Sequence, residues 1–226
     1  MAKSCLLYYI TDRSQFAGDE AARRRALLEK IAEATRAGVE YIQLREKDLS
    51  ARDLQRLARE CAGIIGAFRN EKRELGTRLL INSRTDVALA AGADGVHLRS
   101  DDVRPSDVRA IWSAVEPRGS QANLQRRPRI AVSCHTFADV VRAQSDGADF
   151  AVFAPVFEKR DRPVMPGAGL SALREACAVR LPVLALGGVT VENATSCLDA
   201  GAAGIAGIRL FQENRIEDVV RALQEL

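Results

Sequence analysis

Residues 78–99 read RLLINSRTDVALAAGADGVHLR, a segment in which two short apolar, β-rich runs flank a polar stretch. The runs RLLINS (78–83) and GVHLR (95–99) predict buried strands, and Gly92 stands where the intervening helix is expected to end. Strand, helix and strand in so short a segment form the sequence pattern of a parallel βαβ unit. The segment therefore predicts a parallel sheet whose strands are joined by helices.

The same alternation of a β-rich run and a charged stretch of helical period occurs eight times along the chain. The eight runs are LLYYITD (6–12), YIQLRE (41–46), RLLINS (78–83), GVHLR (95–99), RIAVSC (129–134), FAVFAPV (150–156), PVLALGG (182–188) and GIAGIRLF (204–211). An open doubly wound sheet usually has fewer strands and a Gly-rich turn after the first one, which is missing here. Eight units of one kind therefore predict a single α/β domain over residues 1–226, a closed (βα)8 TIM barrel.

Serines and glycines mark the expected helix ends. Ser50, Ser83 and Ser106 each precede a periodic segment, where a serine hydroxyl can accept from the first free backbone N–H groups. Glycines stand where helices are expected to end, at Gly38, Gly92, Gly147 and Gly201. The basic, polar insert RGSQANLQRRP (118–128) interrupts the pattern and is predicted to be a surface loop.

Composition excludes several classes of protein. The 33 basic and 30 acidic residues leave a net charge of +3, so the surface is mixed and does not predict nucleic acid as a partner. The five cysteines are far apart and include no C-x-x-C pair, which is typical of reduced thiols. The early apolar run 6–10 is too short for a signal segment, and no later run approaches membrane-spanning length. We therefore expect a cytoplasmic protein with neither a membrane nor a nucleic-acid partner.

Polar residues inside the second run, YIQLREK, indicate a binding site. The period of two in a strand separates Ile42 and Leu44 from Gln43, Arg45 and Lys47. If the apolar pair packs on helices, the polar three point into the barrel. Two cations directed at a core need negative charge beside them. Their place near the end of the strand therefore favours a site for phosphate or diphosphate. An internal layer of salt bridges with acids from other strands is an equal alternative.

Three further strand ends carry polar groups. Asn82 closes the third run, and Ser133 closes the fifth with His135 just beyond it. Asp101 and Asp102 follow the fourth run, where carboxylates can bind a hard cation such as Mg²⁺. As acids in the first turn of a helix they need no metal, which is the competing interpretation. The active sites of barrels lie at this end of the strands, so His135 is a candidate catalytic group.

The last two runs are rich in glycine. Gly187, Gly188 and Gly207 let backbone N–H groups approach an anion closely, and the loops after strands 7 and 8 are the usual phosphate site of this fold. Close packing of strands and helices is the alternative reason for these glycines. Arg209 follows and can add a contact to phosphate, or it can be a surface cation. His97 lies within a run and is predicted to be a core histidine with satisfied ring nitrogens.

Nearly the whole chain is covered, in order, by eight blocks of sequence: YYITDR, IQLREKD, LLINSRTDVALAAGADGVHL, the Asp-Asp pair, AVSCHT, GADFAVFAPVF, PVLALGG and AGAAGIAGI. Together these blocks resemble the pattern of the thiamine phosphate synthases and the similar thiazole tautomerases. The resemblance implies a transferase of thiamine biosynthesis in which hydroxymethylpyrimidine diphosphate loses diphosphate and the nitrogen of a thiazole phosphate attacks the cation-like methylene. Small phosphorylated molecules are then the substrates, and barrels of this kind often form homodimers.

The resemblance also implies roles for individual residues. By matching position, Gln43, Arg45, Lys47 and Asn82 hold the pyrimidine diphosphate, Ser133 contacts diphosphate, Asp102 binds Mg²⁺ and Gly188 binds the thiazole phosphate. Lys47, Ser133 and His135 are the expected catalytic residues. The expected substrate-binding set is completed by Lys159, Gly187, Gly207 and Arg209.

Three departures from the synthase pattern leave two alternatives open. Ser83 stands where a second metal-binding Asp is usual, Arg99-Ser100 replaces Gly-Gln, and EKRDRP (158–163) replaces a Thr-x-Thr-Lys stretch, with Lys159 or Arg162 able to supply the lost charge. The first alternative is a thiazole tautomerase, an isomerase that uses His135 as a proton shuttle. The second is a non-catalytic barrel that binds phosphate esters.

Overall fold

The computed structural model describes residues 5–71, 76–115, 127–158 and 167–226. Within them, eight parallel strands pair in chain order, and the last pairs with the first, so that the sheet closes into a barrel. The predicted (βα)8 barrel is therefore confirmed. The strands are β1 (Leu6–Ile10), β2 (Tyr41–Leu44), β3 (Arg78–Asn82), β4 (Gly95–Leu98), β5 (Arg129–Cys134), β6 (Phe150–Phe153), β7 (Val183–Ala185) and β8 (Gly204–Gly207).

Helices alternate with the strands and cover the outside of the barrel. They are α1 (Glu20–Ala37), α2 (Ala51–Glu71), α3 (Thr85–Ala91), α4 (Pro105–Val115), α5 (Phe137–Ser145), α6 (Gly169–Cys177), α7 (Val191–Asp199), α8 (Arg209–Gln212) and α9 (Ile216–Gln224). In the described part of the chain, no helix combines the length and the apolar character needed to cross a membrane. Most of the insert 118–128, up to residue 126, lies outside the described residues, so its predicted surface position stays a prediction.

Most of the predicted runs extend past the strands, because hydrogen bonding between strands stops where the chain turns over the rim of the barrel. The largest difference is in the eighth run, GIAGIRLF, which is wrong as a continuous strand. Its second half is helical, since α8 begins at Arg209. Leu210 and Phe211 both turn into the core from this short helix. The α8 residue Gln212 is also buried and accepts a hydrogen bond from the hydroxyl of Tyr9 on β1 at 3.2 Å.

The predicted helix ends were correct in part. Ser50 accepts from the backbone N–H of Asp53 at 3.2 Å, as an N-cap does. Ser83 and Ser106 are wrong as caps, because α3 begins two residues after Ser83 and Ser106 lies inside the first turn of α4. Pro105 starts α4 instead, with its ring suited to the first helical position. The four predicted terminal glycines adopt left-handed backbone angles at or just beyond helix ends: Gly38, Gly92, Gly147 and Gly201.

Side chains of the barrel separate into two apolar layers. Alternate residues of each strand, such as Ile42 and Leu44, face outward into the large core between sheet and helices. The others fill the lower lumen, where the rings of Tyr8, Tyr41 and Phe150 pack with centroids 4.8 to 6.0 Å apart. The lumen is thus a packed core at its lower end, and polar groups begin only above these rings.

Three acids before even-numbered strands tie neighbouring strands together at the lower end of the barrel. Each carboxylate accepts from a backbone N–H near the start of the preceding strand: Glu40 from Leu7 at 2.9 Å, Asp94 from Leu79 at 2.8 Å and Asp149 from Ile130 at 2.8 Å. Each acid follows a glycine by two residues, and Gly201-Ala202-Ala203 repeats this spacing before β8 without the acid. The sequence analysis missed this recurring pattern.

Loss of Asp149 should destabilise the fold. The carboxylate also holds Arg109 at 2.9 Å and is only 13% exposed, so Asp149→Ala leaves a donor and a cation unpaired at little-exposed sites. We expect the free energy of unfolding in urea to fall by about 2 kcal/mol. Asp86→Ala is the control, since that carboxylate is 66% exposed in its pair with Arg84 and should cost less than about 1 kcal/mol. Equal losses would contradict the structural role of Asp149.

Candidate active site

Polar side chains from β2, β3 and β5 meet in the upper lumen. Gln43 donates from Nε2 to Oδ1 of Asn82 at 2.8 Å, and Ser133 Oγ lies 2.8 Å from Nε2 of His97. These residues continue the inward-facing rows that begin below with Tyr41, Leu80 and Ala131. The lumen-facing position expected for Gln43 is therefore confirmed, and the strand-end residues Asn82 and Ser133 face the same lumen.

Arg45 follows β2 directly and is half-buried at the mouth of the barrel. Its backbone N–H donates to Oγ1 of Thr11 at 3.0 Å, which fixes the main chain at this point. Among the described residues, no carboxylate lies within ion-pair distance of its guanidinium. The guanidinium is close enough to His97 for its charge to lower the pKa of that imidazole. The described residues therefore form no internal layer of salt bridges around Arg45, which was the alternative interpretation.

Lys47 is placed differently from Arg45. It lies in the exposed turn beyond β2, so the alternation of the strand does not carry it into the lumen, and that expectation was wrong. The strand ends at Leu44, and the chain leaves the extended conformation before it reaches Lys47. Its role in holding diphosphate stays a prediction.

A buried ion pair between Arg13 and Glu46 supports this segment from the outside of the barrel. The side chains are 5% and 2% exposed, and Arg13 NH1 donates to Glu46 at 3.0 Å. Glu46 also accepts a hydrogen bond from the hydroxyl of Thr11 at 2.6 Å. Arg13 donates to both carboxylate oxygens of Asp48, at 2.7 and 2.8 Å. Burial raises the pKa of Glu46, whereas the hydrogen bond from Arg13 lowers the pKa of Asp48.

This ion pair was missed by the sequence analysis. The sequence feature that could have predicted it is the charge pattern of YYITDR and REKD. In REKD each acid follows one of the two cations that were predicted to bind substrate. Because Glu46 and Asp48 alternate with Arg45 and Lys47, fixing the two acids also fixes the backbone that carries the two cations.

His97 is a core histidine, as expected. Both ring nitrogens have partners, Nδ1 with the hydroxyl of Tyr8 at 2.9 Å and Nε2 with Ser133 at 2.8 Å. Burial lowers the pKa of His97 to about 3, with the charge of Arg45 acting in the same direction. The imidazole is therefore neutral near pH 7.

His97 makes stability depend on pH. Below its ordinary pKa of 6.5 the unfolded chain binds a proton that the folded chain does not bind until about pH 3, so stability falls as the pH is lowered through this range. Between about pH 7 and about pH 5.5, wild-type protein should lose about 1 kcal/mol more stability in urea than His97→Gln does. Parallel losses in the two proteins would contradict the burial of a neutral His97.

Asp102 is part of a compact group of oxygen atoms beside β3 and β4. Its Oδ2 accepts from Ser83 Oγ at 2.6 Å and from the backbone N–H of Arg99 at 2.7 Å. Ser83 adopts a left-handed φ of 58°, which is uncommon for a residue other than glycine and turns its hydroxyl to Asp102. Asp101 is exposed and pairs with Arg99 at 3.0 Å.

The donor set at Asp102 fits a shared Mg²⁺ better than a protein-only metal site. The described residues contain no group of three or more His, Cys, Asp or Glu side chains arranged to hold a metal ion. Mg²⁺ commonly takes one or two carboxylates together with phosphate oxygens of the substrate. The carboxylate of Asp102 and the hydroxyl of Ser83 are hard oxygen ligands of that kind.

A cavity of about 190 Å³ opens between the ends of β4 and β5. Asp102 and Ser133 line it, and the other charged residues of its lining are Arg99, Arg104, Arg142, Asp139 and Asp146. The predicted metal ligand and the predicted diphosphate contact therefore border the same cavity, whose lining carries charges of both signs.

His135 lies exposed at the mouth, just after β5. Its Nδ1 is 2.7 Å from the carbonyl oxygen of Ala154, and its backbone N–H donates to Asp139 at 3.0 Å. The carbonyl group just after β6 therefore holds the ring in a defined orientation while leaving it accessible to solvent.

The glycine-rich loops are closely packed. Gly188 has a φ of 64°, and a Cβ there would lie 2.7 Å from the carbonyl oxygen of Glu158. The packing interpretation of Gly187 and Gly188 thus holds, and it leaves their predicted contact to phosphate open. Gly207 ends β8 beside α8, where Arg209 is half-buried. Lys159 and Arg162 lie outside the described residues.

Comparison with known proteins agrees with this barrel. The family model described as thiamine monophosphate synthase matches residues 7–211. Thiamine-phosphate synthases of Syntrophomonas wolfei and Methanoculleus marisnigri are 34% and 35% identical over 225 and 222 residues, covering 97% of this chain and 95% and 93% of theirs. The solved structure of thiamine phosphate pyrophosphorylase from Pyrococcus furiosus matches with a TM-score of 0.73 and 27% identity, covering 99% of this chain and 94% of that one. The chain belongs to the thiamine monophosphate synthase family.

Proposed function

We propose that this protein joins hydroxymethylpyrimidine diphosphate to a thiazole phosphate and releases diphosphate, as a transferase of thiamine biosynthesis. The observation that carries the proposal is the half-buried guanidinium of Arg45, which has no carboxylate partner among the described residues and stands above the lumen beside polar residues of three strands. A cation in such a place is stabilised by a bound anion. Family membership supports diphosphate as that anion.

The proposed reaction requires the protein to stabilise diphosphate as the leaving group. The bond between the pyrimidine methylene and the diphosphate oxygen breaks, the oxygen keeps the electron pair, and the thiazole nitrogen donates its own pair to the methylene carbon. Negative charge therefore grows on diphosphate as the bond breaks. Arg45 and Ser133 stabilise that charge, and Lys47 adds a second cation from the adjoining turn. Gln43 and Asn82 bind and orient the pyrimidine, and no general base is needed for the substitution.

We expect the remaining predicted residues to act around this centre. Asp102 with Ser83 would hold Mg²⁺, which supplies charge neutralisation of the diphosphate when bound. Gly187, Gly188, Gly207 and Arg209 would bind the thiazole phosphate. Lys159 lies outside the described residues, and its role in binding substrate stays a prediction. The expected homodimer, the cytoplasmic location and the lack of nucleic-acid and membrane partners stay predictions.

Arg45 provides the direct test of the transferase. With both phosphorylated precursors and Mg²⁺, the wild-type protein should form thiamine phosphate and diphosphate. Arg45→Ala should lower kcat/KM by about 100-fold or more, because it removes charge stabilisation of the leaving group. Arg221→Ala is the control, since that side chain is 68% exposed on α9 and should leave kcat/KM unchanged. No product from the wild-type protein would reject the proposal.

A second candidate, thiazole tautomerase, is favoured by one observation. A carbonyl oxygen only accepts hydrogen bonds, so the 2.7 Å contact with Ala154 places the hydrogen of neutral His135 on Nδ1. Nε2 then presents a lone pair at the exposed mouth, as a proton shuttle requires. Ser83, which stands where the synthase pattern has a second metal-binding Asp, also agrees with an isomerase.

The tautomerase requires the wild-type protein to isomerise the thiazole carboxylate phosphate. His135→Ala should then lose this activity about 100-fold, because the base is gone. His135→Gln should lose it equally, since glutamine can keep a hydrogen bond to Ala154 without exchanging a proton. The rates are measured from single precursors without the pyrimidine. Isomerisation at the wild-type rate in His135→Ala would end this candidate.

A further inference from the structure

A continuous chain of hydrogen bonds runs through the lumen from β1 to β5. The hydroxyl of Tyr8 lies 2.9 Å from Nδ1 of His97, and Nε2 of His97 lies 2.8 Å from Oγ of Ser133. Tyr8 and His97 are 0% and 3% exposed, whereas Ser133 is half-buried at the upper end, near the mouth. Neither Tyr8 nor His97 was expected to serve the site.

The position of the hydrogen in each of these hydrogen bonds follows from Tyr8, the most deeply buried residue of the chain of hydrogen bonds. Burial raises the pKa of Tyr8 well above its ordinary value, so the phenol is neutral and carries a hydrogen that needs an acceptor. The rings of Tyr41 and Phe150 pack edge-on or tilted around it, and His97 Nδ1 is the hydrogen-bond partner of its hydroxyl among the described residues. Tyr8 therefore donates to Nδ1, because the reverse arrangement would bury a hydroxyl hydrogen without an acceptor.

The tautomer of His97 then determines what Ser133 can do. A neutral imidazole carries one hydrogen, and with Nδ1 accepting from Tyr8 that hydrogen is on Nε2. Nε2 donates to Ser133 Oγ, so the hydroxyl hydrogen of Ser133 points away from His97. Ser133 is half-buried at the upper end of the lumen. Its hydrogen is therefore available to a ligand that enters the mouth.

We propose that Tyr8 and His97 are positioning residues that hold Ser133 as a hydrogen-bond donor to the diphosphate group. The inference rests on the proposed transferase for the identity of the anion, but the hydrogen-bond chain belongs to the protein without substrate. With His97 neutral, the chain adds no charge to the site. It leaves the hydrogen of Ser133 available to an acceptor ligand, because Nε2 of His97 is already a donor and cannot accept that hydrogen.

The tautomer can be read directly in the wild-type protein. The chain has two histidines, so selective ¹⁵N labelling gives two imidazole spin systems, and His135→Gln identifies the one from His135. We expect His97 to show hydrogen on Nε2 and a bare Nδ1 near neutral pH. Hydrogen on Nδ1 would overturn the proposal without any variant being made.

Binding of inorganic diphosphate tests the consequence. By calorimetry with Mg²⁺, Ser133→Ala should bind diphosphate about tenfold more weakly than wild type, because a donor to a charged group is lost. Tyr8→Phe should bind about threefold to tenfold more weakly, because the tautomer of His97 is no longer fixed, and its His97 signals should shift.

Tyr9→Phe is the matched control. It removes an equally buried hydroxyl from the next residue, on the outer face of β1, where the partner is Gln212. It should leave diphosphate affinity and the His97 signals unchanged. Wild-type affinity in Tyr8→Phe or in Ser133→Ala would overturn the proposal. Failure of the synthase assay alongside the expected binding losses would reject the transferase and leave the positioning role standing.

Discussion

The candidate site depends on a guanidinium that the described residues leave without a counter-ion. Arg45 is half-buried above a lumen whose lower end is filled by aromatic and aliphatic side chains. A charge at the border of such a core loses part of its hydration, and within the described part of the chain the nearby acids are engaged elsewhere. Glu46 and Asp48 bind Arg13, and Asp102 binds Ser83 and the backbone of Arg99. The arrangement therefore favours a ligand that brings its own negative charge.

Rigidity of the site comes from contacts outside it. The buried pair of Arg13 and Glu46 joins the loop after β1 to the loop after β2, and Thr11 bonds both Glu46 and the backbone of Arg45. Below, the acids before β2, β4 and β6 tie neighbouring strands together at the other end of the barrel. These acids at the lower end and the candidate site at the upper end thus involve different residues, as is usual for barrels of this kind.

Ser83 is the position where this chain departs from the synthase pattern with a visible structural effect. In place of a second carboxylate, a hydroxyl in a left-handed backbone conformation donates to Asp102. Two adjacent carboxylates repel each other unless a cation lies between them, whereas a serine hydroxyl neutralises none of the charge and holds Asp102 without a metal. The site at Asp102 is therefore organised before any cation binds, and it offers that cation less charge.

The sequence alone determined the class of fold and much of the lumen, because both follow from local periodicity. Eight alternating units required a parallel sheet, and the period of two placed Gln43 inside the barrel. The same rule failed for Lys47, since it lies in the turn beyond the end of β2, where the alternation no longer applies.

Only the tertiary structure decided which distant residues meet. Tyr8 reaches His97, and through it Ser133, because β1 faces the neighbouring strands β4 and β5 across a closed barrel. That relation is set by closure and register and not by neighbouring residues. Ser83 was misread as a cap for the same reason, since its partner is an acid from the loop after β4. Ser106 was misread for a local reason, because Pro105 already begins the helix that Ser106 was expected to cap. Local pattern specifies which side of a strand a group occupies, but the partner on that side is supplied by another strand.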